Sequence, residues 1–165
     1  MKKIICFALV VAGFVLASCE KDPIGGTVTQ DMAGEWDVTI DAMDTSGNVL
    51  IPEYYHGQIY TYNTVENIPT RLWVDDMASF WDYKVEVSMD MNAGTFTSDG
   101  VQENASYECQ VNIEEGKIVK MGTTTPSGVP TDYIEFVVSF SDDDPAFGYK
   151  YKVYGFRHTG LASDD

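Results

Sequence analysis

The chain is poor in basic side chains: 10 Lys and Arg stand against 26 Asp and Glu, a formal charge of −16. That balance repels phosphate backbones and anionic surfaces, which argues against a nucleic-acid partner and against adhesion to a membrane by basic attraction. Histidine is scarce, with only His56 and His158, and so is cysteine, with Cys6, Cys19 and Cys109. No His-Glu-x-x-His, no Gly-x-Ser-x-Gly and no Cys/His cluster at zinc spacing occurs, so no catalytic motif, metal site or cofactor is implied. Asp142-Asp143-Asp144 and Asp75-Asp76 lack EF-hand spacing and read as solvated loops. No stretch of ten or more residues carries a helical stripe, and no apolar run is long enough for a membrane-spanning helix, which needs roughly 20 residues.

What is present begins at the N-terminus. Lys2 and Lys3 precede the uncharged run 4–16, and small residues follow at Ala17 and Ser18, the layout of a secretory signal. Leu16-Ala17-Ser18-Cys19 resembles the lipobox of bacterial lipoproteins. That resemblance implies acylation of the Cys19 thiol and cleavage before it; a plain secretory signal with an incidental cysteine is the alternative. Cleavage removes residues 1–18 from the 165 and leaves 147, with 8 basic against 26 acidic side chains, or −18. Such a length suits one domain. Cys6 leaves with the signal and Cys19 is acylated, so Cys109 has no partner for an intramolecular disulfide and reads as a small apolar strand residue. Residues 19–33 read as a flexible tether, 34–160 as the domain and 161–165 as a tail. Glu20-Lys21-Asp22 after the lipobox loosely resembles the charged export signals of Bacteroidetes surface lipoproteins. The expected location is the cell envelope, as an outer-membrane lipoprotein, with the cell surface favoured over the periplasmic face as the alternative.

From Gly34 the pattern has period two. Trp36, Val38 and Ile40 alternate with Asp37, Thr39 and Asp41, which predicts a strand with one wet face. Further strands are predicted over 57–64, 72–74, 81–91, 95–97, 107–113, 117–121, 133–140 and 148–157. Residues 49–55 contain Pro52, which confines them to an edge or a bend. Glu115-Gly116 reads as a tight hairpin between two strands. Eight to ten short strands with hairpin-like links predict an all-β, antiparallel barrel or sandwich. The many large rings at alternating positions favour the barrel, whose interior at eight strands holds side chains or one small ligand.

Gly34-Glu35-Trp36-Asp37-Val38, Tyr60-Thr61-Tyr62-Asn63-Thr64, Leu72-Trp73-Val74-Asp75-Asp76 and Phe80-Trp81-Asp82-Tyr83-Lys84-Val85 follow one another in a recognisable order. Thr124-Thr125-Pro126-Ser127-Gly128 and Tyr154-Gly155-Phe156-Arg157-His158-Thr159-Gly160 complete it. Their order and spacing behind a lipobox resembles the Bacteroidetes lipoproteins called lipid-binding putative hydrolases, over about 34–160. The resemblance implies a calycin-like, lipocalin-like β-barrel. It supplies no agreed catalytic motif, and the hydrolase part of the name stands alone.

In a barrel of that kind a late-strand arginine closes one end by stacking on an aromatic ring and bonding backbone carbonyls. Arg157 is the candidate and Trp36 its ring; anchoring a ligand carboxylate is the other reading of Arg157. Three functions are weighed. The first is binding of a lipid or other small apolar molecule inside the barrel, lined by Trp36, Tyr60, Tyr62, Trp73, Trp81, Tyr83, Met89 and Phe136; a fully packed core is the alternative use of these residues. The second is hydrolysis, with Ser127, His56 and His158 as unremarkable loop or edge residues by spacing. The third is stacking of exposed rings on sugars at the cell surface. The membrane, through the N-terminal acyl chains, is the expected partner.

Overall fold

The computed structural model describes residues 26–144 and 149–164. The lipobox, Cys19 and residues 19–25 of the expected tether lie outside the described residues. Within them the fold is all-β: β1 (Gly34–Met43), β2 (Val49–Asn63), β3 (Arg71–Asp75), β4 (Lys84–Asp90), β5 (Thr95–Thr97), β6 (Gln102–Glu103), β7 (Gln110–Thr124), β8 (Pro130–Phe140) and β9 (Lys150–Arg157). They form one antiparallel sheet in the order β5-β4-β3-β2-β1-β9-β8-β7-β6, and β5 also pairs with β7, so the sheet closes into a ring.

Alternation drives the closure. In β4, Val85, Val87 and Met89 are buried while Lys84 and Glu86 stand outside. In β8 the inward set is Ile134, Phe136, Val138 and Phe140, and in β9 it is Tyr151 and Val153. These join Trp36, Ile40, Ile59, Leu72 and Ile113 in one core. Each fully buried aliphatic or phenyl side chain contributes about 1.5–3 kcal/mol.

Several predicted boundaries differ; residues 107–109, expected to open a strand, lie in the link before β7. Glu115-Gly116 is a bulge inside β7 and not a hairpin: Glu114 faces Val137 and Lys117 faces Glu135, so β7 carries one residue more than β8 across this step. Gly116 is required there because β5 crosses it; a Cβ would run into the ring and carbonyl of Phe96. Residues 49–63 form one strand despite Pro52, because the pairing of β1 with β2 shifts register around Ala42 and Asp41 Oδ1 accepts the N–H of Glu53 at 2.7 Å. Residues 81–83, predicted as the start of a strand, belong to the link before β4.

Antiparallel order sorts the links between two ends. The start of β1, the β2–β3 link, the β4–β5 turn, the β7–β8 link and the end of β9 share the end where the chain enters. The β1–β2 hairpin, the β3–β4 link and the β8–β9 link share the far end. Residues 26–33, expected as tether, are seated against the entry end instead. Thr29 and Met32 are buried, and the Thr61 hydroxyl donates to the Met32 carbonyl at 2.7 Å. Arg157 lies across the same end with its guanidinium 4.6 Å from the Trp36 ring centre.

Candidate functional site

Among the described residues the inward side chains pack into one core. Trp36, Tyr83 and Phe136 are buried within the core, where Trp36 Nε1 donates to Thr61 Oγ1 at 2.9 Å. Met89 is buried at the β4–β5–β7 seam and borders an outward-opening cleft of about 450 Å³ beside Phe96. Tyr60, Tyr62 and Trp73 point away from the interior, contrary to their expected role as lining. The reason is parity: Ile59 and Thr61 take the inward positions of β2, and Leu72 and Val74 those of β3. Outside, Tyr60 donates to Glu35 at 2.9 Å and Tyr62 to Asp75 at 2.5 Å. The Lys84 ammonium lies 5.2 Å from the Tyr62 ring centre and 5.1 Å from that of Trp73.

Trp81 is half-buried at the far end, stacked on Phe140 with ring centres 4.5 Å apart and planes 4° from parallel. Phe80, Tyr54, Tyr55, Tyr149 and Tyr151 crowd round the same place. The acids expected to be solvated organise this end. Asp76 is fully buried, and its carboxylate accepts the backbone N–H groups of Ala78, Phe80, Trp81, Asp82 and Tyr83 at 2.7–3.2 Å. Met77, Ala78 and Asp82 all have positive φ, which is how one carboxylate reaches so many donors in one link. Asp142 accepts from Trp81 Nε1 at 3.1 Å, the Tyr107 hydroxyl at 2.7 Å and the Cys109 thiol at 3.0 Å. Burial pushes the Asp142 carboxyl up, but these hydrogen bonds more than offset it and hold it below its usual range.

A cleft of about 720 Å³ lies on the outer wall, over β2, β1, β9 and β8. Its floor is two rows of outward side chains. One row is His56, Thr39 and Tyr154; the other is Gln58, Asp37, Phe156 and Tyr133, each facing the next across the ladder. Thr123, Pro126 and Asp164 make its wall at the entry end. Tyr133 donates to Glu135 at 2.5 Å and Tyr154 to Asp41 at 3.3 Å. Burial first, and then these carboxylates, raise both phenols above the ordinary tyrosine value, so both remain donors at neutral pH. His56 Nδ1 lies 3.1 Å from Thr39 Oγ1, and His158 Nδ1 lies 2.7 Å from Asp37 Oδ2. A second outward cleft, of about 390 Å³, adjoins β7, β8 and β9, where Lys150 pairs with Glu114 at 2.5 Å and Lys152 with Glu135 at 3.8 Å.

Asp164 fixes the wall. It accepts the Ser127 N–H at 2.9 Å and the Thr159 hydroxyl at 2.7 Å, and hydrogen bonding by the side chains of Ser127 and then Thr159, with the Ser127 N–H adding to it, lowers its carboxyl to about 2. Its stabilisation is therefore complete above the unfolded value near 3.9 and is lost only as pH falls toward 2. A ¹³C titration of the Asp164 carboxyl is expected to show a midpoint near 2; a midpoint near 3.9 would mean that the tail is not held against the 125–129 turn.

Cys109 and Ser127, the two nucleophiles considered from the sequence, are engaged by neighbouring side chains. The Cys109 thiol bonds Asp142, and the Ser127 hydroxyl lies 3.0 Å from that of Thr125. Among the described residues no group of three or more His, Cys, Asp or Glu is placed to hold a metal ion.

A family model described as "Lipid-binding putative hydrolase" matches residues 21–162. The chain belongs to that family. The lipid-binding family therefore covers the whole ring and the seated segment before it. No curated protein matches the chain. Among solved structures, a structural-genomics protein of unknown function from Bacteroides ovatus is similar, at 15% identity and a TM-score of 0.47 over 79% of this chain. The chain spans 43% of the length of that one.

Proposed function

We propose that this family member is an envelope lipoprotein, anchored through acyl chains on Cys19, that binds a lipid-like amphiphile in the outer-wall cleft and not inside the ring. The observation that carries the reading is the cleft itself. About 720 Å³ falls within the 300–1,000 Å³ usual for small-molecule sites. Its floor sets the apolar faces of Phe156, Tyr133 and Tyr154 beside His56, Gln58 and Asp37, matching a molecule with an oily part and a polar part. The packed core leaves the outer wall as the better seat, and the family's description agrees with a lipid ligand.

Displacement of a dansyl-labelled fatty acid tests both the ligand class and its place. Phe156→Ala is expected to weaken binding about tenfold, equivalent to about 1.4 kcal/mol, while the interior change Phe136→Leu leaves affinity unchanged. The opposite pattern would return the ligand to the interior, and absence of any lipid binding would end the proposal. Hydrolysis is the second reading, favoured by the His158–Asp37 pair at 2.7 Å beside the cleft. Turnover on a panel of esters that is abolished in His158→Ala would replace binding with catalysis.

A further inference from the structure

We infer that the entry end of the ring is a membrane-contact face that rests on the bilayer holding the Cys19 anchor. The inference rests on the lipoprotein reading above and goes beyond it, because an anchor alone leaves the domain free to tumble.

Two observations converge on this end. The first is reach. The seated segment is pinned at the ring by Val28 N–H to Asn67 at 3.0 Å and by Arg157 to the Ala33 carbonyl. Nine residue steps separate Cys19 from Val28, at most about 32 Å of fully extended chain. An acylated Cys19 therefore keeps this end, and not the far one, close to the lipid. The second is composition, which suits this end once reach has selected it, since Val49, Leu50, Ile51 and Met77 are exposed at the far end as well. Val28, Val65, Ile68, Met121, Val129 and Leu161 are exposed apolar side chains carried by the seated segment, the β2–β3 link, the end of β7, the β7–β8 link and the tail. Val65 is 96% and Met121 66% exposed, so both project from the rim.

Contacts on the page tie these elements into one face. Asn67 bonds Val28, Asp31 pairs with Lys120 at 3.6 Å, and Asp132 bonds both Met121 N–H and Arg157. Apolar side chains on a rim next to an acyl anchor gain free energy by entering the headgroup boundary, in proportion to the area they bury. Charge does not drive the contact: Lys120 is already engaged by Asp31 and Asp132, and Glu66 sits beside Val65. A zwitterionic surface is thus the matching partner. The same end supplies Pro126 and Asp164 to the cleft wall, so this orientation brings the proposed site to the lipid surface.

The test uses full-length acylated protein purified from cells and reconstituted on phosphatidylcholine vesicles. An environment-sensitive fluorophore is placed at Val65→Cys, Met121→Cys or, at the far end, Met77→Cys; Cys109 is buried and stays in place. The expected result is flotation of all three, with emission blue-shifted and quenched by nitroxide-bearing lipid at positions 65 and 121 and unchanged at 77. Flotation with water-like emission at 65 and 121 would overturn the contact face while leaving the anchor intact. Failure to float would remove the anchor and the face together.

Discussion

Asp76→Ala is expected to lower unfolding free energy by about 3–5 kcal/mol and the melting temperature by roughly 10 °C. The carboxylate is fully buried and accepts five backbone N–H groups, two on Oδ1 and three on Oδ2. Its own backbone also pairs with the link, N–H to the Tyr83 carbonyl at 3.0 Å and carbonyl to the Ser79 N–H at 2.8 Å. Truncation leaves several donors in a half-buried link without an acceptor, each costing about 1–3 kcal/mol where water cannot replace it. Asp76→Asn does not rescue this, because an amide turns its NH₂ toward the N–H groups of Phe80, Trp81 and Asp82 that converge on Oδ2. The readout is urea or thermal unfolding followed by tryptophan fluorescence, since Trp81 loses its stack on Phe140 when the link loosens. A variant within about 1 kcal/mol of the parent would show that the link does not depend on this carboxylate.

That result bears on what the sequence made legible. Period-two alternation identifies β4, β8 and β9 directly, because one face is oily and the other charged. It fails where both faces carry apolar groups. In β2 either Ile59 and Thr61 or Tyr60 and Tyr62 fit an inward set, and the larger rings are the natural choice. The interior at that level is already occupied by Trp36, which faces Ile59 across the ladder and needs Thr61 inside to accept its indole N–H. A polar threonine therefore displaces two tyrosines to the outer wall. Glu115-Gly116 misleads for a related reason, since a residue with positive φ beside a glycine marks a bulge as readily as a turn. Asp75-Asp76 looks like two solvated acids because nothing local shows which backbone donors will converge on them. The outer cleft is hidden for the same cause: its two rows come from four strands far apart in sequence, and its wall from a tail and a turn.

Arg157→Ala is expected to cost about 2–4 kcal/mol at neutral pH, and Arg157→Lys to restore little of it. The guanidinium does three things at once. It covers the Trp36 ring at 4.6 Å, donates through Nε to Asp132 at 3.0 Å and through Nη1 to the Ala33 carbonyl at 2.5 Å. A lysine ammonium is a point charge that cannot lie flat on a ring and serve two acceptors. Gly34 makes the room, because a Cβ there would collide with the guanidinium. Acid adds a signature that loss of packing alone would not give. Burial pushes the Asp132 carboxyl up, yet the Met121 N–H, Lys120 and Arg157 together hold it below its ordinary value. A depressed carboxyl stabilises the fold above the unfolded value near 3.9 and loses that contribution as pH falls through the folded one. The gap between the parent and Arg157→Ala should therefore be widest near pH 7 and narrow below pH 4. Equal melting of the two proteins at pH 7 would mean that the entry end is held by its apolar contacts alone. A gap that stays constant down to pH 3 would keep the stack on Trp36 and remove Asp132 from the account.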